Sequence, residues 1–259
     1  MVAAKEILLT CGIGDFVAMT SYLTENERTS VEVIHWATRA RDSLMHLIPF
    51  IFPNVKTHIV VRDKWGPAFS KDFCIASRAE LPSLAASVVD WNIAALVREA
   101  KARKRKFYGS PLVARQLCNI GHLELPGRYF VVHPYSENAR TPIRDFSDSE
   151  WRRVHCTLQA RGFPIVIVNK GGIPFAPLAG VIDLTDKLTL IEAIEVTKGA
   201  AGFIGAASLF SVIASQLLPK EKLFVKGSGD LKNNFAWFYY APHVSNSFVV
   251  NELNSLAIA

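Results

Sequence analysis

The chain contains no long apolar run. Its longest stretches, such as Phe163 to Val168, fall far short of the roughly 20 residues that span a bilayer as a helix, so no stable membrane insertion is expected. Cysteine is scarce and scattered. Cys11, Cys74, Cys118 and Cys156 include no C-x-x-C pair, which argues against a zinc knuckle and against a disulfide framework. The histidines form no H-x-x-x-H pattern, and no tandem repeat or low-complexity tract interrupts the sequence. The opening MVAAKEILLTC lacks a basic region followed by an apolar core, and reads as an unprocessed start with an expected cytoplasmic localisation. The charge excess is small, 29 Lys and Arg against 23 Asp and Glu, or +6. That suits an anionic partner (nucleotide, phosphate, nucleic acid or membrane surface) without choosing among them.

What is present is ample core material: 259 residues, 50% hydrophobic and 20% charged, enough for one large domain or two of ordinary size. Strand-like and helix-like segments alternate. Glu6 to Thr10, Val31 to Ala37, VKTHIVV (55–61) and DFCIAS (72–77) read as strands. A helix follows Asp15, another spans Arg39 to Ile51, and the region 92–122 is helical in character. Within it, GSPLVARQLCNIGHLELP reads as an amphipathic helix ending at Gly121. A second alternation starts at Arg128: strands YFVVHP, FPIVIVN, GVIDLT, AGFIGA and KLFVKG, and helices SDSEWRRVHCTLQARG, LTLIEAIEVTKGA and SLFSVIASQLLP. Such alternation predicts an α/β fold of parallel sheets flanked by helices. The expected organisation is a first βαβ domain over 1–126, a second over 127–234, and an aromatic helical segment (FAWFYY and beyond) over 235–259 packing back on them. Two such domains facing each other would form a cleft at the carboxyl ends of both sheets, where these folds bind ligands.

Four segments could carry chemistry. In ILLTCGIGDFVAM, Gly12 and Gly14 allow a tight turn with exposed amides just before Asp15, which suits a substrate or anion site. The same pattern arises because Asp favours helix starts. In YFVVHPYSENARTPIRDFSDSEW, the loop after His133-Pro134 offers Ser136, Asn138, Arg140 and Arg144, and guanidinium forks suit a diphosphate. A solvated loop is the alternative. The DSE of that segment resembles a metal-binding carboxylate pair, but Ser147 and Glu150 are better read as a capping box, and no metal ion is expected for the chemistry. Near residue 205, small residues run into a helix that Ser208 can cap; they allow a ligand close to the backbone, or simply a tight strand-to-helix turn. The basic run KARKRK (101–106) reads as a solvated helix end rather than a phosphate-binding patch, and the aromatic cluster 237–240 as packing.

Taken in order, these segments resemble the heptosyltransferase-like family of GT-B glycosyltransferases, glycosyltransferase family nine, in a divergent and compact form. The likeness rests on GIGD, on PLVARQLCNIGHLELP, on VVHPYSENARTPIRDFSDSEW, and on LQARGFPIVIV followed by VIDLTDKLTLIEAIEVTKGAAGFIG. It implies a GT-B fold, two Rossmann-like domains facing across a cleft, and inverting, metal-independent transfer of a sugar from a nucleotide-sugar to an acceptor hydroxyl. The nucleotide-sugar is then a substrate and no cofactor is needed. By the resemblance Asp15 is the general base. Gly12, Gly14, Ser136, Arg140, Arg144, Gly205 and Ser208 bind the donor and its diphosphate. The family's donor loop reads along the lines of G-N-D-S-G-x-x-H; here GAASLFSV keeps only Gly205 and Ser208, which points to a different donor sugar, acceptor or both. A saccharide is the family's acceptor. A hydroxymethylated base in DNA, as in viral DNA glycosylation, is an alternative, as is a sugar-nucleotide-binding protein without catalysis.

Overall fold

Short apolar runs bounded by glycine or polar residues set the strands, and every strand pair they form is parallel. The structure, a computed structural model, describes residues 6–9, 12–36, 41–60, 89–91, 108–135, 145–173, 175, 178–206 and 208–226. The chain divides into two compact units, Met1–Leu112 and Val113–Ala259.

In the first unit, β1 (Glu6–Leu9), β2 (Val33–Trp36), β3 (Thr57–Val60) and β4 (Val89–Trp91) form a sheet in the order β3-β2-β1-β4. Glu6 lies opposite Val33, Val33 opposite Thr57, and Ile7 opposite Val89. Strands covered on both faces are near-continuous apolar runs, and Ile7, Leu9, Ile34 and Trp36 are all buried. Helix α1 (Ile13–Thr20) follows β1 and buries Phe16, Val17 and Ala18, with Phe16 meeting Phe52 at 5.9 Å between ring centres. Helix α2 (Glu25–Thr29), closed by a Thr24–Glu27 capping box, and strand β4 have no counterpart in the sequence reading.

The single helix expected over 39–51 is two helices, α3 (Arg41–Met45) and α4 (Ile48–Ile51). Pro49 explains the break. A proline ring clashes with the carbonyl four residues earlier, here that of Met45, yet fits the first turn of a new helix.

The amphipathic helix expected to end at Gly121 is also corrected: only α5 (Pro111–Ala114) is helical, with a 3-10 turn at Gly121–Leu123. Tertiary hydrogen bonds claim the backbone. Leu117 N–H donates to Glu195 Oε1 at 2.7 Å, and Gly121 N–H to Asn119 Oδ1 at 2.8 Å. Ile120, Leu123 and Leu125 pack against the core of the second unit. Residues 113–126 thus group with the second compact unit.

In the second unit, β5 (Phe130–His133), β6 (Ile165–Ile167), β7 (Val181–Asp183), β8 (Gly202–Ala206) and β9 (Leu223–Lys226) are ordered β7-β6-β5-β8-β9, again all parallel. Helix α6 (Asp148–Ala160) packs Trp151, Val154 and Leu158 on one face with Phe130, Val132, Ile165 and Ile167. Helices α7 (Leu190–Lys198) and α8 (Leu209–Ser215) cover the other face, where Val196 and Ala214 meet Val131, Val166 and Phe203. The chain thus adopts the α/β class expected of it. The segment DFCIAS, the residues 92–107 with their basic run, and the segment 235–259 lie outside the described residues.

Candidate functional site

Each sheet reverses its strand order beside its first strand. The chain moves outward from β1 to β2 and β3, then returns to place β4 on the far side of β1. It does the same about β5, building β6 and β7 on one side and β8 and β9 on the other. At such a switch point the loops leaving the two central strands diverge to opposite faces, and the crevice at their carboxyl ends is where open α/β sheets bind ligands. The segments singled out in the sequence leave β1, β5 and β8, the strands that flank these two switch points.

At the first, Gly12 immediately precedes α1, and its carbonyl accepts the first helical bond from Phe16 N–H at 2.9 Å. The turn is shorter than the sequence reading has it. Gly14 already belongs to α1, so its backbone is right-handed and its conformational freedom is unused. Asp15 is the third residue of α1. An acidic residue in a helix's first turn complements the positive end of the dipole.

At the second, Ser136, Arg140 and Arg144 lie outside the described residues, but both ends of their loop are fixed. Phe146 N–H donates to Pro134 O at 3.1 Å, closing the loop's neck at the carboxyl end of β5. Lys226, at the end of β9, donates to Asp145 O at 2.7 Å and to Glu150 Oε2 at 2.6 Å. Burial works against the Glu150 carboxylate, but hydrogen bonds from Lys226 and Ser147 outweigh it and hold its pKa below the ordinary range. The anchoring role of Lys226 went unread in the sequence, where it is one more lysine ending an apolar run.

The capping box read at Ser147 and Glu150 is present: Ser147 Oγ accepts from Glu150 N–H, and Ser147 N–H donates to Glu150 Oε2 at 2.7 Å. Ser208 likewise caps α8, its hydroxyl accepting from Phe210 N–H at 3.2 Å while its own N–H donates to Ser211 Oγ. Gly205 lies opposite His133 in the β5–β8 ladder. A Cβ on Gly205 would stand 2.7 Å from His133 O and 2.8 Å from the Phe203 ring, so strand packing alone demands glycine there.

His133 was not singled out from sequence. It is buried, its Nδ1–H donates to Val168 O at 2.7 Å, and Phe210 meets its ring edge-on at 4.9 Å. Desolvation pushes its pKa down to about 4, partly opposed by the Val168 hydrogen bond, so the imidazole is neutral at pH 7. Because a carbonyl can only accept, the proton sits on Nδ1 and Nε2 is left as an acceptor. The loops after β6 and β7 are tied together nearby: Gly171 N–H donates to Asp186 Oδ1 at 2.8 Å, and Asp186 N–H to Asn169 O at 3.1 Å.

No family model and no curated protein matches the sequence. Among solved structures, the dodecameric iron-containing heptosyltransferase TibC in complex with ADP-D-beta-D-heptose aligns over 81% of this chain and 54% of its own, with 15% identity and a TM-score of 0.43. A second TibC structure, from enterotoxigenic E. coli H10407, gives the same coverage and identity with a TM-score of 0.44. E. coli heptosyltransferase WaaC with ADP aligns over 85% of this chain and 86% of its own, with 18% identity and a TM-score of 0.44. The chain spans about half the length of TibC. Among the described residues, no helix is long and apolar enough to cross a membrane.

Proposed function

We propose that the chain is an inverting, metal-independent glycosyltransferase that moves a sugar from a nucleotide-sugar to an acceptor hydroxyl. The observation that supports it is the coincidence of two independent features. The segments whose residue types suit this chemistry leave the strands that flank the two switch points, where the topology of a parallel sheet favours ligands.

In this reading Asp15 takes the proton of the acceptor hydroxyl as its oxygen attacks the anomeric carbon. The carbon–oxygen bond to the diphosphate breaks on the opposite side, and the nucleoside diphosphate leaves with the electron pair. Ser136, Arg140 and Arg144 donate hydrogen bonds to the charge that develops on it, a form of stabilisation that works only with donors already in place. Gly12 and Gly14 keep side chains away from the approach to Asp15. Gly205 and Ser208 serve the donor by leaving the backbone after β8 accessible.

A second reading, a sugar-nucleotide-binding protein without catalysis, is favoured by one observation: the Ser208 hydroxyl is already committed to capping α8, in a loop that lacks an acidic residue. Turnover separates the two. Sugar nucleotides that raise the melting temperature are incubated with saccharide acceptors or with DNA containing hydroxymethylated bases, and release of nucleoside diphosphate is followed. The transferase reading expects release, and expects Asp15→Asn to lower it by about 10²–10⁴-fold while melting within a few degrees of wild type. Stabilisation by a sugar nucleotide with no release on any acceptor, and no slow hydrolysis, selects the binding protein. Full turnover in Asp15→Asn removes the proposed base.

A further inference from the structure

The connection between two neighbouring parallel strands ordinarily carries a helix that covers the sheet. The described residues of the β6-to-β7 connection, between 168 and 180, form turns and extended chain instead. The connection is tied to α6: His155 Nε2–H and the Gln159 side-chain amide both donate to Ala179 O, at 3.0 and 3.4 Å. An irregular segment covers a sheet less completely than a helix does, and a cavity of about 360 Å³ remains between this connection, α6 and the strands β6 and β7. That volume lies within the range of about 300–1,000 Å³ typical of small-molecule sites.

Ile167, Ile173, Leu178 and Val181 give the cavity aliphatic walls. The aromatic faces beside it are already engaged, because Phe175 stacks on Trp151 at 6.0 Å between ring centres and on Tyr135 at 5.7 Å. Two polar atoms of lining residues, Trp151 Nε1 and Thr185 Oγ1, are buried without a partner among the described residues. Trp151 is only 2% exposed, and an indole N–H can donate but not accept, so what its surroundings lack is an acceptor. A buried donor left unpaired keeps its full desolvation cost, which a bound acceptor relieves. Among the described residues, no basic side chain lines the cavity, and the one carboxylate of the lining, Asp183, is exposed to solvent. Such a lining disfavours an anion.

We propose that this cavity binds a small neutral aliphatic carbonyl compound, with its hydrocarbon body against the aliphatic walls and its oxygen accepting from Trp151 Nε1–H. A carbonyl oxygen has two lone pairs, so the Thr185 hydroxyl can donate to it as well. The walls favour a hydrocarbon body, and the buried indole donor favours an acceptor over a second donor. The lack of a lining cation among the described residues favours a neutral oxygen over a carboxylate. None of the described residues assigned to the sugar donor lines this cavity, so the proposal stands whether or not the chain transfers sugars.

The test titrates cyclopentanone and methylenecyclopentane into the full ¹⁵N-labelled chain. The two share one shape, with a methylene group in place of the oxygen in the second. The Trp151 indole N–H signal is assigned by its loss in Trp151→Phe. It is expected to move downfield with the ketone, as a newly bonded N–H does, and to move far less with the hydrocarbon. Affinities are read from the Ile173 and Thr185 amides. Trp151→Phe keeps a flat apolar ring but removes the donor, and should lower the ketone-to-hydrocarbon affinity ratio by about tenfold, the worth of pairing a buried N–H. Both ligands fill the same space, so the room freed by the smaller ring cancels from the ratio. Val181→Trp fills the cavity and should abolish both sets of shifts. If either variant does not fold, the indole shift in the wild-type chain decides, its signal then assigned through nuclear Overhauser contacts within α6. An unmoved Trp151 indole signal at millimolar cyclopentanone overturns the proposal. So do equal indole shifts from the two ligands, an unchanged ratio in Trp151→Phe, or shifts confined to the loops after β5 and β8.

Discussion

His133 shows what burial does to a single titratable group. The unfolded chain protonates this imidazole near pH 6.5, whereas the folded chain resists until about pH 4. Between those values the unfolded state binds more protons, so stability must fall as the pH drops. The full contribution is on the order of 3 kcal/mol, present above pH 6.5 and lost towards pH 4. Urea unfolding at pH 7, 6 and 5 checks it: wild type should lose stability more steeply than His133→Gln, and equal slopes would assign the loss to another group. Glu150 does not confuse the measurement. Its pKa is held below 4.5, so the stability it contributes is lost only at lower pH. The sequence shows a histidine ending a strand and a glycine in another strand, but not that the two lie opposite each other. That pairing depends on which strands become neighbours, which is why His133 escaped the sequence reading while Ser208, whose cap is local, did not.

Among the elements, local chemistry made some helix starts readable, although the Thr24–Glu27 box that opens α2 was passed over, and elements set by distant partners were the harder ones. The S-x-x-E string at Ser147 announces the start of α6, and the structure contains both of its reciprocal bonds. The cap is exposed, so its loss is not compounded by a buried orphan. Ser147→Ala should cost about 1 kcal/mol, visible as a lower urea midpoint with an unchanged slope. Ser147→Asp, which retains a capping oxygen, should recover most of it. The break between α3 and α4 was equally local, since Pro49 marks it, but apolar periodicity runs through the proline and hides it. Strand β4 is different. Its three residues acquire strand geometry by pairing with β1, and no pattern within VDW signals that. The helix expected through Gly121 fails for the same kind of reason: its periodicity is real, but Glu195, far along the chain, captures the Leu117 amide that helix formation would need.

At the scale of the whole molecule, the packing of residues 113–126 on the second unit has a measurable consequence. The proline-glycine pair at 126–127 marks a place where chain direction can change, and sequence reading equates such places with domain limits. Contacts decide otherwise. Residues 113–126 belong to the second unit because Glu195, buried at 8% exposure on α7, accepts from Leu117 N–H and pairs with Lys198 at 2.6 Å, while Lys198 also donates to the Arg115 carbonyl. Removing the segment would leave the Glu195 carboxylate without its backbone donor and uncover the apolar surface that meets Ile120, Leu123 and Leu125. Three partly buried aliphatic side chains and one hydrogen bond to a charge amount to about 3–5 kcal/mol. A fragment of residues 113–259 should therefore unfold cooperatively and be more stable by about that amount than a fragment of 127–259, compared by urea titration. Glu195→Gln in the longer fragment separates the two contributions, since it keeps an acceptor for Leu117 N–H but gives up the charge. Equal stability of the two fragments would mean that residues 113–126 only rest on the second unit, and would restore the boundary at the proline.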